Sequence, residues 1–533
     1  MSRALTKRDE NLSTDDVDLH RFFFSLRSLR LCGSLFPPEM KIRGTRHLFS
    51  QEAPMTMRND VANFALEAEA NPYLMGNYSP VDTEITTQNL TVIGEIPRDL
   101  NGMYVRNGPN PRYAPQGRYH WFDGDGMLHA VHIRDGQVSY RNRWVRTDGF
   151  EREAHAGGLV WTGIIEPMSR NPRDMPLKDT ANTDIKYHNQ KLLALWYLSG
   201  DPYAIDPLTL ETIGKEDFGG GRRGHVSAHV KVDEHTDEML FFDYGLRPPY
   251  MTYGVVGPDG CLRHLAPIEL PGPRLPHDMA ITQNYSILLD LPLINDPEAL
   301  KQGRHKIVFR RDMPSRFGLI PRYGDPDSIR WFEAKPCYMY HTINAWEEGD
   351  EVVLDTCRVS RPAPPDTAVG RLEKMLSYLR LDARIYRYRF NLKTGETKEG
   401  PLDDRNTEFP TINTQVLGRP SRYAYNVHLT TDKTLLFDGI IKYDTHTDSS
   451  ETVSFGAGRY GSEAPFAPRP YATSEDDGYL LSFIYDEGEN RSELVILDAK
   501  DITAGPVARV LIPQRIPHGF HACWVPEEKL PKA

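Results

Sequence analysis

The stretch HIRDGQVSYRNRWV, residues 132–145, decides the fold. Runs rich in β-branched and aromatic residues flank Asp135-Gly136. An Asp-Gly pair in that setting is a hairpin signal, because a tight two-residue turn needs positive φ at both central positions. Six more segments read as hairpins: YAIDPLTLETIG (203–214), VKVDEHTDEMLFF (230–242), GVVGPDGCLRHL (254–265), YRFNLKTGETKE (388–399), IKYDTHTDSSETVSF (441–455) and LVILDAKDITAGPVARVLI (494–512). Roughly seven repeated antiparallel units fit an all-β chain, a seven-bladed β-propeller whose radial repetition hides sheet edges. A pair of β-sandwiches is the alternative architecture on pattern alone.

Composition supports an all-β reading. The 533 residues include 41 glycines and 41 prolines, and proline at that level works against a mostly helical chain. Helix is expected at 367–381, TAVGRLEKMLSYLRL, where Val369, Leu372, Met375, Leu376 and Leu379 recur at helical spacing. It should form a small cover on one face. No run approaches the roughly 20 apolar residues that cross a bilayer. The five cysteines, Cys32, Cys261, Cys337, Cys357 and Cys523, show no CxxC spacing, which excludes a zinc ribbon or disulfide scaffold. Their sparseness fits a reducing compartment and a cytoplasmic protein. A net charge of −11 disfavours nucleic acid as a partner. It leaves room for peripheral membrane contact through a local patch.

Residues 1–70 read differently. The stretch HRFFFSLRSLRL (20–31) interleaves arginines with phenylalanines and leucines. That suits a short interfacial helix in a real extension. Equally, the segment could precede the true start, at Met55 or Met57. From Asn71 onward the chain reads as one folded domain, 71–533.

Eighteen histidines are present, and four stand at strand ends beside apolar runs: His229, His277, His341 and His521. They span nearly 300 residues, unlike the local spacing of an HExxH site. Only an architecture that brings distant strands to one axis could unite them, as a propeller does.

The motifs around these histidines resemble those of the carotenoid cleavage oxygenase family, which includes carotenoid, lignostilbene and isoeugenol dioxygenases and the retinoid isomerase. In order they are NGMYVRNGPNP (101–111), HWFDGDGMLHAV (120–131), VSAHVKVD (226–233), PHDMAIT (276–282), HTINAWEEGD (341–350), EFPTINTQVLGRPSRYAY (408–425), SEAPFAPRP (462–470), EDDGYLLS (475–482) and GFHACW (519–524). The resemblance implies a seven-bladed propeller with a helical dome. It also implies one Fe(II) per chain held by His229, His277, His341 and His521. Glutamates that accept hydrogen bonds from three of the histidines match Glu408 and Glu463. The third falls where this chain has Tyr197, in LALWYLSGDPY (193–203). A tyrosine there brings no negative charge, so the expectation is that it tunes the metal rather than abolishing its binding.

For the substrate, stilbene-cleaving relatives place a tyrosine and a lysine where this chain has Ser169 and Trp196. Without those phenol-binding groups, and with Phe122 retained before GDGM, a carotenoid or apocarotenoid is expected. The closing segment RSELVILDAKDITAGPVARVLIP (491–513) resembles the stilbene and phenylpropenoid branch and keeps that alternative open. The expected reaction uses dioxygen on an apolar alkene to give two carbonyl products. A polyene isomerase and a non-catalytic binding propeller are the rival functions. The resemblance fixes no oligomeric state.

Overall fold

Asp135 and Gly136 adopt φ of 51° and 76°, and Arg134 pairs with Gln137 across them. The two-residue hairpin therefore forms where the sequence placed it, with the positive φ that its turn requires. The computed structural model describes residues 71–301, 306–364, 371–430 and 434–532. The segment 1–70, with its interfacial-helix reading, lies outside them.

All seven hairpins read from sequence are antiparallel pairs in the structure. They are not one per blade. The hairpins at 230–242 and 254–265 share one sheet, whereas the sheet spanning 280–334 was read from none of them. Its central pair, Tyr285–Asp290 and Ser315–Pro321, is parted by an insertion that carries a two-stranded ribbon, Leu293–Asn295 with Ile307–Phe309. With the turn replaced by that long insertion, no short-range signal survives.

Seven sheets result, numbered here as blades 1 to 7 in chain order, and they form the expected β-propeller. Blade 1 is built on Gly102–Pro109, blade 2 starts at Asp184, blade 3 at Lys231, blade 4 at Ala280, blade 5 at Tyr338, blade 6 at Thr407 and blade 7 at Arg459. A separate apolar cluster fills each of the seven interfaces between neighbouring blades, the last joining blade 7 to blade 1. Leu480 packs toward blade 6 and the next residue, Leu481, toward blade 1. Alternate side chains leave opposite faces of a strand. Both faces are buried here, which is why central strands such as Gly478–Asp486 read as continuous apolar runs.

The ring is closed twice. Ala522–Pro526, near the C-terminus, pairs with Gly102–Pro109 as the innermost strand of blade 1. Val92–Gly94, near the start of the described chain, pairs with Pro506–Leu511 on the outside of blade 7. The expected helix forms over Arg371–Tyr378, and residues 365–370 ahead of it, including Val369, lie outside the described residues. Leu376, Leu379 and Leu381 are buried in an eighth apolar cluster with Tyr73, Trp121, Phe409 and Phe520. Among the described residues no helix is long and apolar enough to cross a membrane.

Candidate metal centre

The innermost strands all bring their first residues to the same end of the central axis, and each supplies one polar group. His229 precedes the strand of blade 3, His277 that of blade 4, and His521 that of blade 1; His341 lies within the strand of blade 5. Blades 6 and 7 supply Glu408 and Glu463, and blade 2 supplies Asp184. Local irregularities aim these groups. An extra residue bulges the blade 5 ladder between Met339 and Thr342, at His341. A second bulge follows Glu408, where Phe409 takes φ of 45°. His229 itself has φ of 68°. Bulges and left-handed residues redirect side chains that a regular strand would send elsewhere.

The four rings meet. His229 lies 4.7, 4.9 and 4.5 Å, centroid to centroid, from His277, His341 and His521. His341 and His521 are 4.7 Å apart. Ligand atoms of His229, His277 and His341 all fall within 4.8 Å of one another. All four residues are buried. The Nε2 atoms of His229 and His341 have no hydrogen-bond partner among the described residues. Buried nitrogens without a partner are costly unless something binds them, and a divalent cation with imidazole ligands fits the gap they face. Burial, with the neighbouring rings adding to it, pushes the imidazoles of His229, His277 and His341 well below their usual range. They are therefore neutral, the form that binds a metal.

The opposite ring nitrogens are tied back. Nδ1 of His521 donates to Glu463 Oε1 at 3.0 Å, and the backbone N–H of Ala522 donates to Glu463 Oε2 at 2.6 Å. Nδ1 of His341 meets Glu408 Oε2. Burial pushes the Glu408 carboxyl up to about 8; a cation held by His341 would draw it back down. His277 is different. Tyr197 lies 5.9 Å away, ring to ring, tilted by 42°, and its hydroxyl makes no hydrogen bond among the described residues. Its ring packs instead on Phe122 at 4.8 Å. Tyr197 thus stands beside His277 as an aromatic wall rather than as a carboxylate replacement. Burial also holds its phenol neutral, well above the usual range.

A cavity opens directly over the histidines. Its walls are Trp121, Phe122, Tyr197, Tyr340, Leu379, Leu381, Phe409, Leu435 and Phe520, with Thr183 and three of the histidines. Phe122 is where the sequence placed it. Ser169 is not: it is exposed on a short turn, Met168–Arg170, and walls no part of this cavity. Trp196 is buried behind Tyr197, at 6.3 Å, and also stands outside the cavity wall. Two buried carboxylates escaped the sequence reading. Asp278 follows His277; it accepts the Thr342 N–H at 2.7 Å and pairs with Lys231 at 2.7 Å. Asp184 lies beside His229. A histidine or an acid at the start of each innermost strand was the available signal, but the blade 2 strand was not recognised as one.

The fold, a buried histidine cluster that could hold a metal ion and an apolar chamber above it together mark the candidate active site of an enzyme built on a propeller. The model of the family described as Retinal pigment epithelial membrane protein matches residues 78–526. The chain belongs to that family, the carotenoid cleavage oxygenases. It is 41% identical to carotenoid 9,10(9′,10′)-cleavage dioxygenase 1 of Pisum sativum, over 86% of this chain and 90% of that one. The crystal structure of Pseudomonas brassicacearum lignostilbene dioxygenase superposes with a TM-score of 0.78 at 29% identity, covering 86% of this chain and 99% of that one. Cobalt-substituted Synechocystis apocarotenoid oxygenase gives 0.75 at 29% identity, covering 84% and 98%.

Proposed function

We propose that this protein is a non-haem iron dioxygenase that cleaves one carbon–carbon double bond of a carotenoid or apocarotenoid to two carbonyl products. The observation that carries the reading is the set of four buried, converging histidines under an apolar chamber, in a chain 41% identical to a carotenoid cleavage dioxygenase. His229, His277, His341 and His521 would hold a single Fe(II), and the ion would supply dioxygen activation. The overall change balances without a reductant, since alkene and dioxygen become two carbonyls and both oxygen atoms enter product.

The chain's own residues bind, orient and exclude water. Glu408 and Glu463 fix the rings of His341 and His521 and raise their basicity. Phe122, Tyr340, Phe409 and Phe520 present ring faces to an extended polyene and leave few polar groups for water. Holding one double bond against the reactive position is then mainly an orientational contribution. No acid–base pair is required. Among the described residues the wall offers no lysine and its phenols are Tyr197 and Tyr340, which favours a polyene over a hydroxystilbene. Stilbene cleavage is the second reading, favoured by the likeness to lignostilbene dioxygenase. We place the enzyme in the cytoplasm, meeting its apolar substrate at a membrane surface or a carrier.

The test is a panel. Fe(II)-loaded protein meets β-carotene, apocarotenals and hydroxystilbenes under ¹⁸O-labelled dioxygen, with products read by mass. Two labelled carbonyls from a polyene are expected. Cleavage of stilbene with apocarotenals untouched would replace the first reading by the second.

A further inference from the structure

Each histidine of the cluster has a different neighbour behind it. His341 has Glu408 and His521 has Glu463, whereas His277 has the uncharged Tyr197. That leaves His229, which touches the other three rings and stands at the centre of the group. Behind it is Asp184, the first residue of the innermost strand of blade 2, with no solvent exposure.

Asp184 holds His229 by two routes. Its Oδ2 accepts the backbone N–H of His229 at 3.0 Å. The same oxygen lies 3.9 Å from Nδ1 of the His229 ring. The backbone bond matters because His229 has φ of 68°, a conformation that a residue with a Cβ adopts only when its surroundings enforce it. That strain is comparable to what one charge-assisted hydrogen bond supplies. The ring contact is too long for a hydrogen bond, but it places a negative charge directly behind a ligand. Its other oxygen, Oδ1, accepts the N–H of Ile185 at 2.8 Å and lies 3.4 Å from Lys186 Nζ.

The charges around the cluster agree. Asp184, Asp278, Glu408 and Glu463 are all buried acids; Lys186 and Lys231 are the ammonium groups paired with two of them. Histidines that ligate a metal do so as neutral imidazoles and would add nothing. Two negative charges remain, which a divalent cation cancels. Without Asp184 the site would carry one more positive charge than its carboxylates balance. A buried uncompensated charge is among the costliest features a fold can hold.

Building on the metal reading above, we propose that Asp184 is the positioning residue for His229 and supplies the carboxylate that Tyr197 does not. The charge that tunes the ion comes from blade 2 by a different strand end and acts on a different ligand. In this chain the tyrosine position is thereby freed to wall the substrate chamber.

The test compares Asp184→Asn, which keeps an acceptor for the His229 N–H but removes the charge, with Asp184→Ala, which removes both. Full-length protein is titrated with Co(II) in competition with a chromophoric chelator, and the Co(II) d–d spectrum and melting temperature are recorded. In Asp184→Asn the amide keeps one acceptor, so one of the two backbone donors loses its partner and the melting temperature should fall modestly, while Co(II) affinity should fall at least tenfold with a shifted d–d band. Asp184→Ala should bind more weakly still. Asp184→Asn with wild-type affinity and spectrum, while Glu463→Gln loses both, would overturn the proposal and leave the metal reading standing. Wild-type protein that takes up no Co(II) would overturn the metal reading and the proposal with it.

Discussion

Glu463→Gln tests how the carboxylates act on the cluster, and the structure sets its size. Glu463 is 6% exposed and uses both oxygens: one accepts from His521 Nδ1 at 3.0 Å, the other from the Ala522 N–H at 2.6 Å. Glutamine has one acceptor oxygen. Whichever donor keeps it, the other faces an amide NH₂, and a buried donor left unpaired costs about 1–3 kcal/mol. Loss of the charge behind a ligating imidazole lowers metal affinity by about 10–100-fold. At 1.36 kcal/mol per tenfold change, that is about 1.4–2.7 kcal/mol. The two costs separate experimentally. Urea unfolding of the metal-free protein reads the first, and Co(II) competition against a chelator reads the second. Glu463→Ala, which leaves both donors unpaired, should unfold at lower urea than Glu463→Gln. Affinity within twofold of wild type for Glu463→Gln would refute the view that this carboxylate orients and polarises a ligand. Glu463 would then be only a backbone cap for the last strand.

Three further changes have defined outcomes. His341→Ala removes a ligand with no partner on its Nε2; the far-UV spectrum should stay that of a folded β protein while iron content and alkene cleavage both vanish, and retained iron would exclude His341 as a ligand. Gly519→Ala would put a Cβ 2.9 Å from the Asn107 carbonyl oxygen and from Arg106 Nε, so the segment carrying His521 must shift; metal content should drop although no ligand is changed, and normal loading would show that the segment gives without moving His521. His518 is buried, stacks on Trp121 at 5.5 Å, and burial holds its imidazole down at about 3. A lowered folded-state value gives stability that is complete above the unfolded value near 6.5 and is lost as pH falls toward 3. At pH 4.5 this amounts to about 2.7 kcal/mol. His518→Phe should flatten the difference in unfolding free energy between pH 7 and pH 4.5 by that order, read by urea unfolding of metal-free protein; an unchanged difference would remove His518 from the acid response.

The hairpins were legible because their information is local. Asp135-Gly136 carries its turn in two residues, and the Asn391–Gly395 and Asp444–Ser449 turns carry theirs in a few more. Blade 4 was illegible for the converse reason, since its strands are joined across an insertion. The histidines could be picked out by context, and the motif resemblance tied them together, but distance in sequence hides which groups stand behind which rings. Ser169 shows the limit of carrying a position over by motif: the residue sits next to RNP, yet its turn faces solvent. Tyr197 was located in the chain, and only geometry showed that, among the described residues, its hydroxyl makes no hydrogen bond to His277 while its ring stands 5.9 Å away. Asp184 opens an unremarkable strand, DIKYH, and gains meaning only because blade 2 lies next to the strand of His229.

Why this chemistry should use a closed ring follows from the distribution of the groups. The cluster draws one residue from each blade, so its geometry is fixed by seven interfaces in series rather than by any single element. In an open array, small displacements at each interface would add up between the strand of His229 and that of His521. Closure makes them sum to zero. Pairing of Ala522–Pro526 with Gly102–Pro109 imposes this directly beside His521, and the pairing of Val92–Gly94 with blade 7 repeats it on the outside. The chain therefore places His521, the last of the four histidines, next to the seam. Binding a cation there links blades 1, 3, 4 and 5 across the axis, so metal binding and ring closure should reinforce one another. Loss of the ion should then be felt first at the seam strand, Ala522–Pro526, as faster amide exchange there than in the centre of blade 3. Equal exchange at both places in metal-free protein would show that the seven apolar interfaces hold the ring closed without help from the ion.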